Sequence, residues 1–119
     1  MTVADKTEFY LQRFDHYVRT RVRALVTPDL IARHRARPNG PHDDDLARVL
    51  NYFRRASVAD KYAILALKPL GDYQLVKLSG QRGVAPRVVD ETIYQNEEDA
   101  QHAVFLRRVA DLMAPDTVV

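Results

Sequence analysis

The sequence contains no cysteine, no tryptophan, only four glycines, and no apolar stretch approaching the roughly 18 to 20 residues that cross a bilayer. The first absence removes disulfides, thiolate metal ligands and thiol nucleophiles together, and it fits a reducing compartment. Residues 1–9 carry Asp5, Lys6 and Glu8 where a signal peptide would be apolar, so a cytoplasmic protein is expected. The scarcity of glycine leaves neither a phosphate-cradling loop nor a dinucleotide fingerprint, and no glycine-flanked turn presents Ser57 or Ser79 as a nucleophile.

What is present suits one α+β domain spanning residues 1–119, with a core over about 7–113. A chain of 119 residues with 46% hydrophobic and 29% charged side chains is too apolar to be intrinsically disordered and has the size of a single core. Net charge is +2, and 14 of the 18 basic residues are arginine. Residues 13–37 hold seven arginines against only Asp15 and Asp29. Arginine is the cation suited to forked, partly desolvated contacts with carboxylates, phosphates and aromatic faces, so this bias points to an interface.

Asp5 followed by Glu8 has the form of a capping box for a first helix of about 20 residues, with an apolar stripe at Leu11, Phe14, Val18, Val22 and Leu25. Thr27 before Pro28 restarts a short second helix that puts Leu30, Ile31 and His34 on one side, and Pro38, Asn39 and Gly40 end it. The run Asp43 to Asp45 favours the positive end of a third helix, whose Leu46, Val49, Leu50 and Phe53 share a face. The period then becomes extended. Lys61 to Lys68 and Asp72 to Ser79 predict an antiparallel hairpin, and Val88 to Tyr94 a third strand. Asn96 caps a last helix with apolar positions at Ala100, Ala103, Val104, Leu106, Val109 and Met113.

Side chains able to do chemistry are few and scattered. His16 and His34 lie on different helices with no second histidine one turn away, so a helical metal pair is missing. His42 beside the three aspartates lacks the alternate spacing and later glutamate of a calcium loop, and the aspartates read as a helix cap. His102 follows Glu98 by four residues and Asp99 by three, which would allow a carboxylate–imidazole pair across one turn, though a surface hydrogen bond explains that spacing as well. No catalytic and no metal-binding residue is assigned. Two clusters remain, residues 51–55 (NYFRR) and 102–108 (HAVFLRR), which set aromatic anchors beside paired arginines as interface centres do.

These last segments also carry a resemblance. Residues Ala32 to Gly40 (ARHRARPNG), Leu46 to Arg54 (LARVLNYFR), Lys61-Tyr62, and Asn96 to Arg108 (NEEDAQHAVFLRR), with Tyr10 in an aromatic-rich first helix, resemble the small subunit of N,N-dimethylformamidase. The resemblance covers most of residues 8 to 113, and the run Ala103 to Arg108 is its most specific part. It implies a hetero-oligomer of small and large subunits that hydrolyses dimethylformamide to dimethylamine and formate. It also implies a mononuclear iron in the large subunit, and so no catalytic residue and no cofactor in this chain.

The leading expectation is therefore an accessory subunit that meets a large amidohydrolase partner through Tyr10, Phe14, Arg35, Tyr52, Phe53, Arg54, Arg55, His102, Phe105, Arg107 and Arg108. Two other classes compete with it. A small basic nucleic-acid-binding module would use the arginine-rich half, although its arginines are spread around the first helix and no helix-turn-helix or zinc-finger spacing accompanies them. An independent enzyme would use His102 with Glu98 or Asp99.

Overall fold

The computed structural model describes residues 3–55, 61–69 and 71–114, with side chains from Arg13 onward. The order is α1 (Val3–Leu25), α2 (Pro28–Ala36), α3 (Asp44–Arg54), β1 (Tyr62–Lys68), β2 (Gly71–Lys77), β3 (Arg87–Val88) and α4 (Glu97–Met113). This is the α+β arrangement expected from the sequence.

The helix boundaries are set by local chemistry. Thr27 and Asp43 accept from the backbone N–H groups of Leu30 and Leu46, each at 3.1 Å, and Asn96 accepts from Asp99 N–H at 2.8 Å. Each side-chain oxygen thus satisfies one of the donors that a helix N-terminus leaves orphaned. The first helix departs from expectation at its start. It begins at Val3, ahead of Asp5, and runs 23 residues.

β1 and β2 form the hairpin, with Tyr62 opposite Lys77, Ile64 opposite Leu75 and Ala66 opposite Tyr73. The third strand differs from the expected Val88 to Tyr94. Only Arg87–Val88 pairs with β2, opposite Lys77 and Val76, and the chain rejoins the sheet at a single bridge between Tyr94 and Tyr73. Val89 still donates its N–H to the Leu75 carbonyl at 2.9 Å, but Asp90 then turns the chain away, its carboxylate accepting from Thr92 N–H at 2.9 Å, so the pairing lapses before Tyr94.

Two apolar clusters share α4. Val22, Leu30, Leu46, Val49 and Phe53 from the first three helices close on Phe105, Val109 and Leu112. On the sheet side, Tyr62 and Leu75 close on Ala100 and Val104. Being sandwiched in this way explains why apolar residues wrap so widely around α4. It also corrects the expected face of that helix: Leu106 and Met113 are exposed, whereas Phe105 and Leu112 are buried.

The last turn of α4 carries no basic residue of its own, and α1 supplies the missing cations. Arg23 donates from Nε to the Leu112 carbonyl at 2.6 Å and from Nη2 to the Ala114 carbonyl at 2.8 Å, while Arg19 reaches the Asp111 carbonyl at 3.5 Å. These carbonyls form the negative end of the helix dipole, so the arrangement stabilises α4 and ties α1 to it. Among the described residues no helix is long and apolar enough to cross a membrane.

Candidate functional site

Two regions gather functional side chains. The first lies where α2, α3, β1 and α4 meet. His34 is buried on α2 by the same side that carries Leu30, and its Nδ1 stands 2.9 Å from Nδ1 of the buried His102 on α4. One ring donates and the other accepts, so the pair shares a single proton between the two nitrogens. The His34 ring stacks on Phe105 at 4.0 Å, and Phe105 meets Phe53 edge-on at 6.0 Å.

Burial pushes the His34 imidazole from 6.5 down to about 4, with His102 and then His42 adding to the effect. Burial also lowers His102, helped by Arg35 and opposed by Asp99. Both rings are therefore neutral at neutral pH. His42 is held beside them by a turn that needs glycine. Gly40 has φ +82°, and a Cβ there would come 3.3 Å from the His42 ring. His42 Nε2 lies 2.9 Å from the Arg37 carbonyl and donates to it.

The expected pairing of His102 with Glu98 or Asp99 is not made. Asp99 accepts from the Asn96 side-chain amide at 2.9 Å and sits in the exposed first turn, while His102 points inward and finds His34, 68 residues away in sequence. Beside the histidine pair, Tyr62 donates its hydroxyl to Asp111 at 2.7 Å, and burial together with that bond pushes the phenol up to about 12. A cavity of about 330 Å³ opens here, walled by Leu50, Ile64, Val104 and Phe105, with Arg54 and Arg108 among its polar residues. No cluster of three or more His, Asp or Glu side chains able to hold a metal ion occurs among the described residues.

The second region is a groove of about 580 Å³ between α1 and α3, bearing Phe14, Tyr17 and Tyr52 and rimmed by Arg21, Arg48 and Arg55. Phe14 is 63% exposed and Tyr17 55%. Arg21 lies over the Tyr17 ring and donates to its hydroxyl at 2.8 Å, so this edge of the groove is ordered within the helix. A further apolar surface is the outer face of the hairpin, where Leu65, Leu67 and Val88 are each close to half exposed.

The residues expected at an interface thus fall into separate places. Phe14, Tyr52 and Arg55 line the α1/α3 groove, and Arg35 is exposed on α2. Arg54 and Arg108 reach the first cavity. Arg107 forms an ion pair with Asp90. Phe53, Phe105 and His102 are 6%, 2% and 5% exposed, so they belong to this chain's own core and offer a partner almost no surface. The side chain of Tyr10, like that of Leu11, lies outside the described ones, as does Ser57. Ser79 bonds within its own turn, accepting from Gln81 N–H and donating to the Gln81 and Val84 carbonyls.

Residues 9–118 match the family model described as N,N-dimethylformamidase alpha subunit. This chain belongs to that family. The N,N-dimethylformamidase alpha subunit of Paracoccus aminophilus is 30% identical over 116 residues, covering 91% of this chain and 79% of that protein. The alpha subunit of an Alcaligenes species is 37% identical over 90 residues, covering 73% and 67%. Both the histidine pair and the α1/α3 groove fall inside the alpha-subunit match, so neither is an appendage to the family's domain.

Proposed function

We propose that this chain is the small, non-catalytic subunit of a hetero-oligomeric amidohydrolase of the N,N-dimethylformamidase type. The large subunit holds a mononuclear iron and cleaves dimethylformamide or a related small amide to an amine and a carboxylate, and this chain stabilises that subunit. The family match across residues 9–118 carries the reading, since the relatives are named as one subunit of an enzyme. The exposed aromatics and arginines of the α1/α3 groove support it, because aromatic anchors beside arginine are what interface centres use. The apolar outer face of the hairpin is a second surface suited to burial.

The nucleic-acid reading rests on charge alone, and several arginines have other work. Arg33 pairs with Asp29 and Asp43, Arg107 with Asp90, and Arg23 with the α4 carbonyls. Co-expression with a large subunit of the N,N-dimethylformamidase type, followed by size exclusion, tests the subunit reading. The two chains are expected to co-elute, and Phe14→Asp with Arg55→Glu is expected to separate them. A chain that elutes alone beside an active large subunit defeats it.

A further inference from the structure

The cavity between α2, α3, β1 and α4 is lined by two cations that form no ion pair among the described residues. Two other partly buried arginines have carboxylate partners: Arg33 pairs with Asp29 and Asp43, and Arg107, one residue from Arg108, pairs with Asp90. Arg108 has none. Its guanidinium lies 6.0 Å over the Phe53 ring and makes one long bond, 3.4 Å, to the Tyr62 carbonyl, although a guanidinium carries five N–H donors. Arg54 stands close enough to repel it, and among the described residues Arg54 itself donates only to the neutral amide of Asn51, at 3.1 Å.

Asp111 accepts from the Tyr62 hydroxyl and does not line the cavity. Among the described residues the lining includes no aspartate or glutamate at all. The two like charges repel each other, and the partly buried Arg108 also loses hydration. An anion between them would relieve both effects.

The chemistry of the walls narrows the anion. A guanidinium fork matches the two oxygens of a carboxylate, and Leu50, Ile64, Val104 and Phe105 give the cavity an apolar body that repays filling with hydrocarbon. Inorganic phosphate would satisfy the arginines but leave those walls unfilled. Of the histidine pair only His34 lines the cavity, and it adds no charge there at neutral pH.

We propose that this cavity is a binding site for a free small organic acid, with its carboxylate forked on Arg108, supported by Arg54, and its hydrocarbon tail against Leu50, Ile64 and Phe105. The ligand bridges α3, β1 and α4, the elements on either side of the two apolar clusters. The site is independent of whether the chain serves an amidohydrolase.

Titration of the full-length chain with benzoate at constant ionic strength, followed by amide and side-chain NMR shifts, tests this. Saturable shifts are expected at Arg108, Tyr62, Ile64 and His34. Benzamide, of the same shape but uncharged, is expected to bind at least about tenfold more weakly, as is benzoate to Arg108→Met, which keeps an apolar stem over Phe53. Arg54→Gln, at an exposed position that leaves the fold intact, is expected to weaken binding about threefold, and it carries the test if Arg108→Met does not fold. Absence of saturable shifts, equal affinity for benzamide, or unchanged affinity in Arg54→Gln would overturn the proposal. So would benzoate binding to the free chain that vanishes in the assembled complex, since a partner's carboxylate would then be the occupant.

Discussion

Replacing His34 with phenylalanine gives the sharpest test of the buried histidine pair. In the folded chain His34 titrates at about 4, against 6.5 for an exposed imidazole, because burial and the neighbouring His102 and His42 disfavour its charged form. The unfolded chain therefore takes up the proton first as pH falls. The contribution of His34 to folded stability is full above about pH 6.5, declines as pH drops toward 4, and levels off below that. The difference between 6.5 and about 4 corresponds to about 3 kcal/mol. The charged and titratable groups facing the pair are Arg35 and Asp99, with His42 beside α2: Arg35 adds to the lowering of His102 and Asp99 opposes it, while His42 adds to the lowering of His34.

His34→Phe keeps a flat ring against Phe105, where the native rings stack at 4.0 Å, and removes the titrating group. Urea unfolding followed by circular dichroism, for both proteins from about pH 7 to about pH 4, isolates the effect from the carboxylates that titrate in common. The native protein is expected to lose about 3 kcal/mol more than the variant across that range. Parallel stability curves for the two proteins would refute the reasoning, because they would mean that His34 enters the fold without losing its proton affinity.

Three further outcomes follow from the packing. Leu30→Ala, at a fully buried position on α2, is expected to lower unfolding free energy by roughly 2 to 5 kcal/mol in urea titration, through lost burial and the cavity left behind. Arg23→Met removes the cation that bonds the Leu112 and Ala114 carbonyls and is expected to destabilise by about 1 to 2 kcal/mol, with hydrogen exchange rising first at the end of α4. Phe14→Asp lies on a side chain that is 63% exposed, so its effect on stability is expected to stay within about 0.5 kcal/mol while co-elution with the large subunit is lost. Loss of both together would mean that Phe14 supports the fold rather than the partner.

Local signals carried most of the secondary structure into the sequence. The caps at Thr27, Asp43 and Asn96 are short-range hydrogen bonds, the face formed by Leu46, Val49 and Phe53 follows from helical spacing, and the hairpin is a pair of β-rich runs joined by Pro69 to Gly71. Features that depend on distant residues were not legible. β3 stops after two residues because Asp90 bonds back to Thr92, which no alternation of apolar residues encodes. Periodicity placed Phe14 on the stripe with Val22, yet Phe14 is exposed while Val22 is buried, since a stripe does not say whether there is anything for it to pack on.

At the candidate site, His102 looked toward Glu98 and Asp99 because they are one turn away, whereas its partner comes from α2. One clue was available in the sequence. His34 shares a helix side with Leu30, and a buried imidazole requires a hydrogen-bonding partner. Which residue would meet that need depends on how α2 packs against α4. Likewise, the aromatic members of the two aromatic–arginine clusters, Phe53 and Phe105, pack against each other inside the chain, and only neighbours such as Tyr52 and Arg55 remain on the groove.

The most direct test of the subunit assignment is amide hydrolysis measured in three preparations: this chain alone, the iron-loaded large subunit alone, and the two recombined. The account expects no turnover from the isolated chain and the highest sustained rate from the recombined pair. Hydrolysis of dimethylformamide by the isolated, metal-free chain would contradict it.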